Sequence, residues 1–470
     1  MRSPDTVAAH RAPFHVLLAK ELWGALSGRA LWTMLLILCP LVGYSFFQAV
    51  SLYGEASSAA RDQPALASGL SPLDGVFVPT FGAVYVAVTL LFPFVAIRTL
   101  GREKETGALR LLIQLPYRVP TLIVAKMTAI SLAWLIAVIP ALSALAIWAM
   151  LGGHLHAPET LNLLLGQLLY GLLVGAIALF AASVSEGSAT AAIVALAFTI
   201  GSWVLDFALA GQPGLLEWIA RLSLTQTLRT FEQGLLSIGL LLGLAVAIGG
   251  FAALAAIWLH PGVPARSKFM GSMACTAIIA AVLGVATQVR TSFDLTEDRR
   301  NSFPAADQRA LAELREPLLV TVHLAPEDPR YVDLRRNVLA KLERVLPRVT
   351  IRLAASGQSV VGSTSDEAYG EIEYSYGGRS AKTRSTSHRE ALPLLYELAG
   401  KSIPTPVAGE DYPGYPLIAG GQGMLLWFCG ALPLLIVIAW WWSGRPPRIP
   451  PRLVEANLVQ PMLIEEGGQP

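Results

Sequence analysis

Between two long apolar stretches lies the polar run Arg102-Glu-Lys-Glu-Thr-Gly-Ala-Leu-Arg-Leu-Leu-Ile-Gln-Leu-Pro116, with Lys126 a little further on. Glu103, Lys104 and Glu105 form a charged head. Together with Gly107 to Pro116 they read as one charged, short helix from Glu103 with an apolar face through Leu109 and Leu112, which the proline at 116 then breaks. Such an element suits docking in a cleft of a soluble protein. From charge alone it suits equally a solvated loop held on the cytoplasmic side. Groups for covalent chemistry are sparse. A phosphate-binding loop needs Gly-x-x-x-x-Gly-Lys-Ser/Thr after a strand, so that successive backbone amides cradle the phosphate. The nearest imitation, Gly377-Gly-Arg-Ser-Ala-Lys-Thr383, lacks the second glycine. His154 and His156 have no further histidine or cysteine near them to complete a metal set. His323 alternates with apolar residues on an expected strand, and His388 has no evident nucleophile beside it. Cys39, Cys275 and Cys429 all fall in apolar stretches, where a thiol behaves as a small hydrophobe and a disulfide framework is not expected. The spacing supports no catalytic constellation, no cofactor site and no metal site.

The elements that must position the charged run are membrane spans. Hydrophobic residues make up 54% of the 470 and charged residues 14%, against about 25% charged in an ordinary soluble domain. A hydrocarbon core of about 30 Å takes about 20 residues of helix. Stretches of that kind occur near Leu31 to Val50, Gly75 to Ile97, Thr121 to Leu151, Leu161 to Val184, Ala189 to Ala210, Leu235 to Leu259, Gly271 to Val289 and Met424 to Trp442. Met1 to Arg29 is too polar, and the apolar run after it too long, for a cleaved secretory signal; the first span is read as retained. Phe14 to Trp23 can lie as an amphipathic elbow on the inner interface, with Lys20 and Arg29 among the headgroups.

Lys and Arg gather in alternate loops. Arg2, Arg11, Lys20 and Arg29 precede span one; Arg98, Arg102, Lys104, Arg110, Arg118 and Lys126 fall between spans two and three. Arg266 and Lys268 precede span seven, and Arg445, Arg448 and Arg452 follow span eight. The opposite loops are poorer, with Arg61 after span one and Arg221 and Arg229 before span six. The bias predicts both termini in the cytoplasm and residues 290–423 outside. The spans carry only mild polar residues, Gln48, Asn162 and Gln167, with Asp206 near an outer end. Ion-coupled transporters need ionisable groups within the membrane, so an external energy source is expected. Basic residues are spread over many loops and the net charge is +2, which gives no footprint for nucleic acid.

Within the long outer segment, Pro317 to Leu324 and Val349 to Leu353 read as strands flanking a helix over Tyr331 to Leu346, a βαβ unit. Gly370 to Tyr376, a turn at Gly377-Gly378 and Arg379 to Ser385 read as a hairpin, with a helix from about His388 to Leu398. Val320, Val322, Leu339, Leu342, Val349 and Ile351 are the expected core.

The run from Arg102 to Pro116, with Lys126, resembles the Glu-x-Glu-x-Gly-Thr-Leu…Leu-Leu-x-x-Pro…Lys signature of permease subunits in type-2 ATP-binding-cassette exporters, nearest to the multicopper-enzyme-maturation and gliding-motility permeases. Lys20-Glu21-Leu22 and the segment Leu222-Ser-Leu-Thr-Gln…Phe231-Glu-Gln-Gly234 are similar to that family too. The likeness covers about Phe14 to Leu259, with Ala108 where the family usually has Thr. Phe293-Asp-Leu-Thr-Glu-Asp-Arg-Arg-Asn-Ser-Phe303, then Leu314-Arg-Glu-Pro-Leu-Leu-Val-Thr-Val-His-Leu, resembles the start of a gliding-motility-type auxiliary subunit, here shortened.

The resemblance implies an α-helical polytopic membrane protein of about eight transmembrane helices with a small α/β extracytoplasmic domain between the last two. Its parts are a six-helix permease domain (1–262), a seventh transmembrane helix (263–290), the auxiliary domain (291–423), an eighth helix (424–443) and a cytoplasmic tail (444–470). It further implies a permease subunit of an ATP-driven exporter in the bacterial inner membrane, with ATP bound and hydrolysed by a separate cytoplasmic ABC ATPase. Arg102, Glu103, Glu105, Gly107, Leu109, Leu112, Pro116 and Lys126 are the expected ATPase-coupling residues. Expected partners are that ATPase, membrane lipid, a second permease and an extracytoplasmic protein on the outer domain. The alternative is a non-transporting scaffold that transmits force to an envelope partner.

Overall fold

The computed structural model describes residues 14–114, 117–209, 223–289, 291–325, 328–354, 369–405 and 412–445. Among them eight helical stretches are long and apolar enough to cross a membrane: Arg29–Asp62, Leu73–Glu105, Val119–Met150, Ala157–Val184, Ser188–Leu205, Ile238–Leu259, Ala265–Ala286 and Gly423–Ser443. The protein is a multi-pass membrane protein. Successive spans alternate in direction, so the molecule has two ends. The elbow side holds the short helix Phe14–Leu26; the sheet side holds all six described strands.

Several boundaries differ from the sequence reading for identifiable reasons. The first helix has 34 residues, about 50 Å at 1.5 Å per residue, and so projects well past the hydrocarbon on the sheet side. The third span is two helices, Val119–Ala137 and Ile139–Met150, meeting at Val138 just before Pro140, whose ring nitrogen cannot donate to the preceding turn. The expected sixth span from Leu235 begins at Ile238. Leu235–Ser237 is instead strand β1, paired antiparallel with β2, Ser292–Asp294. That pairing clamps the entrance of the sixth span to the exit of the seventh.

The core of the bundle lies among the first four spans, where Phe46, Phe77, Phe81, Phe92, Trp134, Trp148 and Tyr170 are fully buried. The seventh span is nearly bare, with Phe269, Met270, Met273, Ile278 and Val285 exposed on the helix surface. Exposed side chains of that kind are stable only against lipid or another apolar surface. The eighth span lies against the first, where Gly43 leaves no room for a Cβ beside Phe428.

The sheet-side unit is a four-stranded sheet of order β4-β3-β5-β6. Its strands are β3 (Leu318–Val322), β4 (Val349–Leu353), β5 (Ile372–Tyr376) and β6 (Arg379–Thr383). β3 and β4 are parallel and joined by a helical crossover over residues 329–345, while β5 and β6 form the antiparallel hairpin. Gly377 (φ +58°) and Gly378 (φ +76°) both take the left-handed conformation that a two-residue turn of this hand needs. Leu318, Val320, Val322, Ile372 and Tyr374 point to one face. There they meet Leu334, Val338, Leu339 and Leu342 of the crossover and Leu392, Leu395 and Tyr396 of helix His388–Ala399. Val349 and Ile351, expected in the core, are only partly buried because β4 is an edge strand.

Candidate coupling site

Glu103, Lys104 and Glu105 do not belong to the loop helix. They are the last turn of the second span, whose helix Val78–Glu105 ends at Thr106. Gly107, at φ +74°, then turns the chain by a left-handed step that a residue with a Cβ resists, and the separate helix Ala108–Gln114 begins. The expected single helix from Glu103 is thus broken at Gly107. Pro116 lies outside the described residues.

This break sorts the predicted coupling residues into two sets. Glu103 and Lys126 face inward. Lys126, fully buried, donates to Glu103 Oε2 at 2.7 Å, to Glu21 Oε2 at 3.0 Å and to the Thr99 carbonyl at 2.8 Å. Lys20 donates to Glu21 Oε1 at 2.9 Å and also to Glu103 Oε1. Two ammonium groups therefore face two carboxylates at a junction of the elbow helix, the end of the second span and the start of the third. All three donor positions of the buried ammonium are used, which a charge removed from water requires. Glu103 was expected at a partner's surface; its carboxylate is instead engaged within the fold.

The second set faces outward. Arg102, Glu105, Gly107, Ala108, Arg110 and Gln114 are exposed, as is Leu111 at 69%, while Leu109 is buried and Leu112 half-buried against the bundle. The loop helix thus sits on the bundle by one face and presents the other. Glu105 also accepts a hydrogen bond from Ser188 at the head of the fifth span. A further residue, Lys104, was not singled out from sequence. Its ammonium donates to the carbonyls of Ala182, Ser183 and Ser185 at 2.7, 2.8 and 2.8 Å, closing the C-terminus of the fourth-span helix. The end of the second span is thereby fastened to spans three to five and to the elbow. Glu21 and Lys104 lie within segments already quoted from the sequence, but only the reach of their side chains assigns them these partners.

The sheet side carries a second polar junction. Arg300 pairs with Asp298 at 2.9 Å and with Asp74, and donates to Ser71 Oγ at 2.8 Å, tying the linker after β2 to the entrance of the second span. His154 Nε2 lies 2.7 Å from Glu297 Oε2, and its ring stacks on Tyr415 with centroids 3.5 Å apart. The Tyr415 hydroxyl, donating to Glu297 and partly buried, is held up at about 12. His154 is therefore part of a docking surface for the linker and for the returning segment around Tyr415, while His156 lies 4.0 Å from Glu159 of the helix that follows it. Among the described residues no group of three or more His, Cys, Asp or Glu is placed to hold a metal. Asp294 is the linker's hub, accepting from Thr296 N and Oγ1, Asn301 N and Ser302 Oγ.

The helix Leu224–Glu232, capped by Ser223, is drawn onto the fourth span by Asn162 Nδ2, which donates to the Phe231 carbonyl at 3.0 Å, and by Phe231 seated over Gly166. Leu222, Arg221, Arg290, Arg448 and Arg452 lie outside the described residues, as does the side chain of Asp206. The three cysteines are free thiols.

No curated protein and no solved structure matches the chain. Residues 15–239 match the family described as ABC-2 family transporter protein, so the membrane region that carries the buried ion cluster, the loop helix and the first five spans is similar to ABC-2 transporter permeases.

Proposed function

We propose that this chain is the permease subunit of an ATP-driven ABC exporter, with ATP hydrolysed by a separate cytoplasmic ATPase that docks on the exposed face of Ala108–Gln114. The observation that carries the reading is the ion cluster of Lys20, Glu21, Glu103 and Lys126, within the region that matches the ABC-2 family. A force applied at Arg102, Glu105 or Leu111 meets no slack. It passes through a short left-handed break into the second span, and through buried charge pairs into the elbow and the third span. Packed elements of that kind move as units rather than deform continuously. In this reading the elbow side is cytoplasmic, in accord with its Lys and Arg content, and the α/β unit is extracytoplasmic. The bare seventh span is where a second permease or lipid packs. The chain's own residues supply coupling and a path, and the ATPase supplies energy.

The test is co-purification with the ABC ATPase encoded beside its gene, followed by ATP hydrolysis in proteoliposomes. A permease subunit should hold the ATPase and change its turnover; a chain that does neither is not one. The alternative, a force-transmitting scaffold, draws support from the Arg300–Asp74 and His154–Glu297 contacts, which tie the linker leading into the α/β unit to the spans. An assembly that hydrolyses ATP but moves no substrate, while an envelope protein is retained on the α/β unit, would favour it.

A further inference from the structure

A cavity of about 650 Å³ opens where the α/β unit meets the sheet-side ends of the sixth and seventh spans. Its walls come from β1 and β2, from the linker around Asn301 and Ser302, and from the last turn of the crossover helix, which contributes Lys341 and Arg344. Lys341 is 7% exposed, and its ammonium donates to the Ser302 carbonyl at 3.1 Å while lying over the Phe303 ring. Arg344 donates through Nε to the Ala340 carbonyl at 2.9 Å, but its Nη1 is buried with no acceptor in the protein. The carboxylate lining the cavity, Asp294, already accepts from Thr296, Asn301 and Ser302 and makes no ion pair with either cation. Burial pulls both cations below their ordinary values against the raising effect of the Asp294 charge, and at Lys341 the positive charges of Arg344 and Arg336 add to the lowering.

Cations near a helix C-terminus answer the helix dipole, and that accounts for the position of Lys341 and Arg344 in the chain. It does not account for three cations, Arg299, Lys341 and Arg344, lining one cavity with a single carboxylate, Asp294, whose oxygens are already engaged by the linker. A planar guanidinium beside an ammonium, in a cleft too large for a side chain to fill, is the donor set that binds phosphate or carboxylate oxygens. Exposed Phe293, on the same wall, gives the cavity an apolar lip at the level where the spans end.

We infer that this cavity is a binding site for an anionic group of phosphate type, held by Arg344 and Lys341, presented either by a phospholipid headgroup at the membrane surface or by a free phosphate-bearing solute. The site is independent of the coupling reading, because it lies on the other side of the bundle and none of its residues belongs to the ion cluster.

The experiment uses the full chain. In nanodiscs of phosphatidylcholine, inorganic phosphate is titrated and the melting temperature followed. In parallel, the detergent-purified chain is offered phosphatidylglycerol and phosphatidylcholine, and retained lipid is read by native mass spectrometry. A phosphate-dependent rise assigns a free anion; selective retention of phosphatidylglycerol assigns a headgroup; either supports the site. Arg344→Gln should weaken the response by at least about tenfold, the usual consequence of losing a charge-assisted hydrogen bond. Arg379→Gln, exposed on β6, should leave it unchanged. Should Arg344→Gln not fold, Arg344→Lys keeps the charge, and is expected to bind with reduced affinity. Absence of both responses in the unaltered chain, or equal binding by the Arg344 and Arg379 variants, overturns the assignment.

Discussion

Replacing Lys126 by Met removes the buried one of the two ammonium groups that both carboxylates share. Glu21 and Glu103 have side chains only 3% and 12% exposed, and Lys126 none, so water cannot take the place of the lost charge. Removing one partner of a buried pair costs about 3–5 kcal/mol, because the remaining charge keeps its desolvation penalty. Lys20 stays at the half-exposed edge of the cluster and still offsets one carboxylate, which places the expected loss near the lower end, about 3 kcal/mol. The second replacement separates this explanation from simple loss of packing. Glu103→Gln in the Lys126→Met background restores one cation to one anion, so the double variant should be more stable than Lys126→Met alone, with a coupling of about 1–3 kcal/mol. Unfolding of the chain in detergent, followed by tryptophan fluorescence against denaturant, reads all four members of the cycle. Additive effects, with coupling below about 0.5 kcal/mol, would refute the claim that the cluster acts as a charge-balanced unit.

Three further outcomes follow from other parts of the molecule. Gly43→Val, at the contact with Phe428, should overpack the first and eighth spans and lower stability by about 1–3 kcal/mol; an unchanged melting temperature would mean that the eighth span does not pack there. Burial pushes the Glu232 carboxyl from 4.5 up to about 7, against the lowering effect of Arg229. The folded chain then holds a proton that the unfolded chain releases. Its contribution is complete below pH 4.5 and is lost as pH rises through about 7, so Glu232→Gln should raise the melting temperature above pH 7 and do little below 4.5; a uniform effect at all pH values contradicts the assignment. A reporter fused after Ser387 should behave as extracytoplasmic and one after Arg452 as cytoplasmic, whereas both on one side would exclude the eight-span arrangement, because the eighth span alone separates the two points.

Much of the fold was legible because it rests on local signals. Apolar runs of the right length marked all eight spans, and the period-two pattern around Ile372 to Tyr376, with Gly377-Gly378, marked the hairpin. Strand β1 escaped because Leu235 to Ser237 is as apolar as the span it leads into, and only its pairing with Ser292 to Asp294 distinguishes it. The site was half legible. The charged run led to the ion cluster, but charge pattern does not tell which carboxylate turns inward. Glu103 and Lys126 are 23 positions apart and Glu21 and Lys126 are 105 apart, so their meeting depends on how three helices cross. The anion cavity had no signal at all, since Lys341 and Arg344 read in sequence as an ordinary basic helix end.

Energy is proposed to enter at the exposed face of the loop helix. The most direct measurement is photo-cross-linking from p-benzoylphenylalanine at Leu111, with the same group at exposed Ile403 on the sheet side as the comparison, in membranes that contain a co-produced ABC ATPase. A covalent adduct with that ATPase is expected from position 111 and none from position 403. No adduct from 111 in a chain that still co-purifies with the ATPase, or an adduct from 403, would contradict the proposal.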